Sequence, residues 1–179
     1  MTSIPILSDG PDLRLRGHEP ADIDDFVAMC SDPGYQQWTD KPVPYPRSHA
    51  EHFVTELIPN GWRSGEVHGW AIEYDGRFAG NIDLGSIRAG GGDIGFGLAA
   101  WARGLGLMTR AARLVVSYAF EDLGWDVVIW RAVAGNEASR RVAVKTGFQR
   151  FTTVPDTACL RGHRRDEWIA SIRPGELAS

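Results

Sequence analysis

The stretch Arg103-Gly104-Leu105-Gly106-Leu107-Met108-Thr109 joins a predicted strand over residues 94–98 to a long amphipathic helix that begins near Gly106. In such a strand–loop–helix unit, the first N–H groups of the helix and the positive end of its dipole face one point. The two glycines let the backbone turn tightly and approach a ligand without interference from a Cβ. The stretch therefore predicts a phosphate site suited to a coenzyme pyrophosphate, with an ordinary glycine turn as the alternative.

Two other phosphate-binding motifs do not match this chain. Neither Lys41 nor Lys145 follows a glycine loop with Gly-Lys-Ser/Thr spacing, which excludes a P-loop. Gly104 and Gly106 lack the third glycine and the following ribose-binding acid of a dinucleotide fold. The sequence therefore argues against nucleotide hydrolysis and hydride transfer.

Composition limits the architecture and the partners. A chain of 179 residues with 43% hydrophobic residues indicates a single domain over residues 1–179. The net charge of −4 argues against a nucleic-acid partner. Without a long apolar run or a leader-like N terminus, we expect no membrane partner and a cytoplasmic location. Cys30 and Cys159 lack metal-ligand spacing and are expected to be free thiols, and the histidines form no metal pattern.

The order of predicted elements gives the fold class. Strand, helix and turn patterns succeed one another as strands near 13–16, 67–74, 77–84, 93–98, 126–134, 148–155 and 165–172, with helices near 20–30, 48–57, 106–122 and 136–146. The helix that separates strands 93–98 and 126–134 predicts that these two strands are parallel. We therefore predict an α/β (α+β) fold with a mixed, mostly antiparallel sheet of about seven strands and about four helices.

Three motifs in this order carry a family resemblance. They are the strand Asp93-Ile94-Gly95-Phe96-Gly97-Leu98, the loop Arg103-x-x-Gly106-x-Met108-Thr109, and Asn136-x-x-Ser139 followed by Lys145-x-Gly147-Phe148. Together they resemble the GNAT superfamily of acyl-CoA-dependent N-acetyltransferases, in particular its RimJ/RimL-like branch. The resemblance spans residues 13–168 and implies the GNAT fold, in which the central parallel strands splay apart. It also implies acetyl-CoA (coenzyme A) as co-substrate and no metal.

The resemblance assigns a coenzyme site to the strand, the loop and the helix after residue 135. The implied coenzyme-binding residues are Phe96, Gly97, Leu98, Arg103, Gly104, Leu105, Gly106, Leu107, Met108, Thr109, Asn136 and Arg141. Gly95 and Gly97 suggest a β-bulge where backbone groups bind the pantetheine and polarise the thioester carbonyl, with close strand packing as the alternative. Asn136 is equally suited to cap a helix. Met108 replaces the usual glycine or alanine, so its side chain must turn away from the coenzyme.

Acetyl transfer to an amine requires that the amine lose a proton and that the departing thiolate gain one. Asp93, at the start of the central strand, is the predicted base, and Asp83 is the second candidate. Either carboxylate could instead be a solvated residue at a strand end. Ser139 is the predicted acid, because Ala143 occupies the position where many family members have a tyrosine. A serine in the first helical turn could instead only cap the helix.

The predicted acceptor site consists of Trp38 and Tyr45, which lie in a proline-rich loop, together with Asp83. Aromatic side chains pack in cores more often than they bind ligands, so core packing is the alternative for the first two.

The leading hypothesis is an N-acetyltransferase that moves the acetyl group of acetyl-CoA to a primary amine by direct attack through a tetrahedral intermediate. The acceptor is either a protein or peptide N terminus or a small-molecule amine such as an antibiotic or metabolite. A non-catalytic acyl-CoA-binding or sensing module is the alternative, favoured by Ala143 and Met108. A protein-interaction scaffold without coenzyme binding is a third hypothesis. The sequence leaves open the acceptor and whether the chain forms a homodimer.

Overall fold

The computed structural model describes residues 4–88 and 90–178. Within these residues the chain forms one eight-stranded sheet with helices packed on both faces. The strands are β1 (Leu7–Asp9), β2 (Leu13–Arg16), β3 (Val67–Tyr74), β4 (Arg77–Arg88), β5 (Gly91–Leu98), β6 (Val127–Val133), β7 (Gln149–Leu160) and β8 (His163–Ile172). The α-helices are α1 (Ile23–Ser31), α2 (Pro33–Gln36), α3 (Arg47–His52), α4 (Ile58–Ser64), α5 (Leu107–Glu121) and α6 (Glu137–Thr146). The predicted single domain also includes residues 1–3, 89 and 179, which lie outside the described residues.

The sheet has the order β1-β2-β3-β4-β5-β6-β8-β7, and the only parallel neighbours among its described strands are β5 and β6. This confirms the predicted mixed sheet with a parallel central pair. The strand missed by the sequence patterns is β1, whose three residues are too few to show a period. Pairing of β5 with β6 ends at Ile94 and Trp130, whereas the strands continue to Leu98 and Val133. The two strands therefore splay apart, as predicted.

Alternation of side chains gives the sheet two different faces. Ile82, Ile94 and Trp130 point to one face, where they pack in the core cluster that includes the buried side of α5. Asp83 and Gly95 are in register and point to the opposite face, which α1 and α3 cover. The splayed gap between β5 and β6 is thus bordered by both layers of helices.

Local turn chemistry is confirmed at several places. Asp75 and Gly76 have φ angles of 49° and 74°, as a type I′ hairpin turn requires. Gly147 ends α6 in the left-handed conformation with φ 113°.

Cys30 and Cys159 are free, the first buried and the second exposed. No helix within the described residues is both long and apolar enough to cross a membrane.

Three predicted boundaries are wrong. The strand expected over residues 77–84 continues as β4 to Arg88. The helix expected to end at Leu57, before Pro59, continues through a π-helical segment, Phe53–Leu57, into α4, which ends at Gly65 in a left-handed cap. Pro59 does not end the helix; it lies in the first turn of α4, directly after the π-helical segment, a position that tolerates proline. The strand expected to end at Pro155 continues to Leu160, because β7 is an edge strand with an irregular register around that proline.

Candidate active site

A cavity of about 450 Å³ occupies the gap between the splayed strands. Residues 95–98 of β5 and 131–133 of β6 form its central walls, and these are the segments that do not pair with each other. Further lining comes from α1, α2, the following loop and α6, through Phe26, Tyr35, Trp38, Lys41, Asn136 and Ser139. Backbone N–H and C=O groups left unpaired by the splay are therefore available to a ligand in this cavity.

Asp83 lies in the cavity wall with its carboxylate against β5. Asn81 Nδ2 donates a hydrogen bond of 2.9 Å to Asp83 Oδ2. A Cβ added at Gly95 would lie 3.0 Å from Asp83 Oδ1. Burial raises the pKa of Asp83 to about 6, against the opposing hydrogen bond from Asn81; nearby Asp93 raises it further and Lys41 lowers it. A carboxylate that ionises so close to neutral pH is suited to general base chemistry.

Asp93 points to the same face as Asp83 but lies further from the splay. Its register partners are Gly85 on β4 and Ile129 on β6, within the paired part of the sheet. Burial raises its pKa, and Arg131 opposes this effect. Among the described residues, Asp83 lines the cavity and Asp93 does not. The role of Asp93 as base stays a prediction, and the geometry favours the second candidate.

Ser139 is held in the cavity wall by two hydrogen bonds. Trp130 Nε1 donates to Ser139 Oγ at 2.9 Å, and Ser139 N donates to Asn136 Oδ1 at 3.2 Å. The second contact is the helix cap that the sequence offered as the alternative role of Asn136. Because Ser139 Oγ accepts from the indole, its own hydroxyl proton remains available to another acceptor. Ala143 is buried, with 1% of its surface exposed.

The glycine loop has the conformation expected of an anion site. Gly104 and Gly106 have φ angles of 79° and 77°, and no side chain in the described residues caps the N terminus of α5. The first N–H groups of this 15-residue helix, from Leu107 to Thr109, therefore have no intrahelical partner. Met108 is only 4% exposed and packs in the core, but it also lines the cavity, so the expectation that its side chain turns away from the coenzyme stays a prediction. The backbone N–H of Met108 is still one of the N–H groups without an intrahelical partner at the start of α5.

Arg103 connects the loop to the start of α2 instead of presenting a free cation. Its guanidinium donates to Asp32 Oδ2 at 2.6 Å and to the Leu98 carbonyl at 3.2 Å. Arg141 is exposed on α6 and lies outside the described cavity lining. A coenzyme contact of either side chain stays a prediction.

Two expectations about this region are wrong. No register shift occurs at Gly95 or Gly97, so these glycines do not form a bulge. They permit close approach instead, because a Cβ at Gly97 would lie 2.3 Å from Tyr35 Cε2. Tyr45 does not line the cavity; it is 8% exposed and packs in the core near Phe26. Apolar burial there outweighs the loop position from which its acceptor role was predicted.

Several lining residues were not found from the sequence. Trp130 and Phe26 resemble ordinary core residues, Tyr35 lies in a four-residue helix, and Lys41 lies in a loop. A signal existed for Asn81, which shares a strand face with Asp83 at a spacing of two. Trp38 does line the cavity and approaches the position of a Cβ on Gly135 to 3.6 Å.

Comparisons with known proteins agree with this geometry. Residues 12–149 match the family model described as an acetyltransferase (GNAT) domain. YdaF of Bacillus subtilis (strain 168), named as a candidate ribosomal N-acetyltransferase, is 32% identical over 125 residues, which cover 66% of this chain and 68% of YdaF.

Two solved structures share the fold at low sequence identity. RimJ of Mycobacterium smegmatis, solved in complex with CoA-disulfide, has a TM-score of 0.83 at 20% identity, covering 93% of this chain and 84% of RimJ. RimL, a ribosomal L7/L12 alpha-N-protein acetyltransferase solved with coenzyme A, has a TM-score of 0.85 at 17% identity, covering 94% and 98%.

Proposed function

This chain belongs to the GNAT family of acetyl-CoA-dependent N-acetyltransferases, and we propose that it acetylates a primary amine in the cavity between β5 and β6. One observation carries the proposal. A carboxylate suited to act as a base, Asp83, and a hydroxyl with an available proton, Ser139, line the same cavity. On the two sides of a bound thioester, these groups can accept the proton of the amine and supply a proton to the departing thiolate.

The coenzyme would be held by backbone groups. The free N–H groups at the start of α5 and the preceding loop, residues 104–109, would bind the pyrophosphate, with Thr109 adding its hydroxyl. The unpaired edge of residues 96–98 would bind the pantetheine, and Asn136 would add its amide nitrogen. RimJ and RimL, which share the fold, were both solved with forms of coenzyme A. Their coenzyme complexes support this assignment, as does the lack of a side-chain cap on α5 within the described residues.

The reaction would proceed by direct attack. Asp83 accepts a proton from the ammonium group of the acceptor, directly or through water, and the neutral nitrogen attacks the thioester carbonyl carbon. An N–H group of residues 96–98 stabilises the negative oxygen of the tetrahedral intermediate. As the C–S bond breaks, Ser139 delivers a proton to the thiolate and regains one from solvent. The products are the acetylated amine and free coenzyme A.

The acceptor would arrive as a cation. Phe26, Tyr35, Trp38 and Phe53 line the cavity beside Asp83, so aromatic faces and one carboxylate surround the reacting position. A peptide N terminus is the acceptor class we favour, because YdaF and RimL carry names that refer to ribosomal N-acetylation. A small-molecule amine is the second candidate, which the modest cavity of about 450 Å³ also suits. A homodimer and a cytoplasmic location stay predictions.

The test combines binding with turnover. Calorimetry measures coenzyme A affinity, and thiol release with product mass measures transfer to peptides with free N termini and to small primary amines. The same peptides with blocked N termini are the matched control. We expect thiol release that requires a free amine and falls sharply in Asp83→Asn. Coenzyme binding without transfer to any acceptor would instead support the acyl-CoA-binding module, and no coenzyme binding would support the scaffold.

A further inference from the structure

A second set of polar side chains, Asn81 in the cavity wall and His18 next to it, is not used by the mechanism. Asn81 donates to Asp83 through Nδ2, while its Oδ1 is shielded from solvent and has no hydrogen-bond partner within the described residues. Both ring nitrogens of His18 are also shielded and without a hydrogen bond in the same part of the chain. These atoms are close enough for the Asn81 amide to influence the pKa of His18.

Two aromatic contacts confine the His18 ring to a pocket beside the cavity. Its centroid lies 5.4 Å from that of Phe53 and 6.1 Å from that of Phe26, with edge-on geometry in both cases. Both phenylalanines line the cavity. Burial lowers the pKa of His18 to about 4, although Asp22 raises it, while Arg16 lowers it further. The imidazole is therefore neutral near pH 7, with one N–H donor and one acceptor nitrogen.

The hydrogen bond to Asp83 determines which way the Asn81 amide points. Because Nδ2 is used for the carboxylate, Oδ1 faces away from it and requires a donor. Buried amide oxygens nearly always accept a hydrogen bond. The neutral imidazole of His18, next to Asn81 in space, has an N–H that can supply this missing hydrogen bond without adding charge. A side-chain rotation of His18 within its aromatic pocket would bring the two atoms together.

We propose that His18 is a positioning residue, whose N–H donates to Asn81 Oδ1 so that the amide holds Asp83 Oδ2 and leaves Oδ1 for the acceptor. This inference rests on the proposed function, in which Asp83 receives the proton of the amine. Without His18, the Asn81 amide can rotate and its donation to Asp83 weakens. Since that hydrogen bond lowers the pKa of the carboxyl group, the pKa of Asp83 should rise further above its ordinary value.

The other charged and titratable groups that surround Asp83 and His18 remain unchanged in the variants. Around Asp83 they are Asp93, Lys41 and Tyr35, and around His18 they are Arg16 and Asp22.

The activity test compares two buried histidines. His68 also has a shielded Nδ1 without a hydrogen-bond partner among the described residues, and burial lowers its pKa. It precedes Gly69, the register partner of Asp83, so its side chain points to the opposite face of the sheet. We expect His18→Phe to lower kcat/KM about 10-fold near neutral pH and to move the acidic limb of the pH profile upward. His18→Gln, which restores an N–H donor, should recover most of the activity, and His68→Phe should behave as wild type.

A second measurement separates this inference from the proposed function. NMR titration of the Asp83 carboxyl carbon, identified by its loss in Asp83→Asn, reports the hydrogen-bond chain without any turnover. We expect a higher pKa in His18→Phe, and in His18→Leu if the first variant does not fold, with recovery toward the wild-type value in His18→Gln. An unchanged carboxyl titration would overturn the positioning role. Wild-type kcat/KM in Asp83→Asn would instead remove the proposed base, while the titration would still decide whether His18 acts on Asp83.

Discussion

Asp83 and Ser139 reach one cavity from opposite faces of the sheet. Asp83 is in register with Gly95, whereas Trp130, which donates to Ser139 Oγ, is in register with Ile94 on the other face. Neighbouring residues along a strand point to opposite faces, so Gly95 and Ile94 separate the two groups. A thioester between the splayed strands would thus have a proton acceptor on one side and a proton donor on the other.

The pH dependence of catalysis should identify the base. In wild type, kcat/KM should rise as pH passes about 6, where Asp83 loses its proton. Asp83→Asn should remove this limb and lower kcat/KM by ~10²-fold or more. The assignment is decided by pH–rate profiles of wild type and Asp83→Asn, with Asp93→Asn as the matched control. Loss of the limb only in Asp93→Asn would return the role to that residue.

Stability should change with pH in the opposite sense to activity. The folded-state pKa of Asp83 is raised from 3.8 to about 6, so the stability it contributes is present at low pH and is lost as pH rises through this window. The loss should approach about 3 kcal/mol. His18, with its lowered pKa, contributes the opposite slope between 6.5 and about 4.

Because the two effects oppose each other, the contribution of Asp83 is measured as the difference in the free energy of unfolding between wild type and Asp83→Asn. Urea unfolding of wild type and Asp83→Asn from pH 4 to 7 should show a growing relative gain for the variant, because the amide has no charge to bury. An equal difference at both ends of this range would mean that Asp83 does not titrate as stated.

The space above Gly95 should limit the position of Asp83. A Cβ there would contact Asp83 Oδ1 at 3.0 Å and must displace the carboxylate by a few tenths of an ångström. We expect Gly95→Ala to lower kcat/KM about 10-fold. In the Asp83→Asn variant, where no base remains to be displaced, Gly95→Ala should lower kcat/KM little further. Additive losses in steady-state kinetics would argue that Gly95 acts through another contact.

The glycine loop can be tested with a strained control. A Cβ at Gly106 meets no atom of the described residues within 4 Å, apart from its own chain neighbours and helix backbone, but φ is 77° and its surroundings are the proposed phosphate site. Gly106→Val should therefore weaken coenzyme A binding by strain and by obstruction. Gly65, with φ 76° and equally open surroundings, caps α4 away from the loop, so Gly65→Val controls for strain. Calorimetry showing equal affinity in both variants would remove the loop from the site.

Ser139 should affect turnover more than coenzyme binding. Ser139→Ala removes the hydroxyl proton that we assign to the thiolate, and kcat should fall by ~10²-fold with little change in coenzyme affinity. Ser117→Ala is a matched control, because Ser117 bonds Glu121 on the exposed side of α5. Wild-type kcat in Ser139→Ala would exclude the residue as the acid.

The sequence by itself determined the features that depend on short-range backbone chemistry. The glycine loop before α5, the Asp75-Gly76 turn and the Asn136 cap each follow from residues a few positions apart. The splayed parallel pair followed from motif order and the family resemblance, because a helix between two strands requires a crossover.

Only the tertiary structure decided which side chains meet in the cavity. Alternation placed Asp83 and Asp93 on one face, but the point where β5 leaves β6 depends on pairing between Ile94 and Trp130, which lie 36 positions apart in the sequence.

 

Contacts between residues so far apart in the chain depend on how whole elements pack, which local patterns do not encode. For that reason the structure, and not the sequence, placed Asp83 in the cavity wall, buried Tyr45 in the core and positioned Tyr35 over Gly97. The same packing brought Trp130 to Ser139 and left His18 beside Asn81.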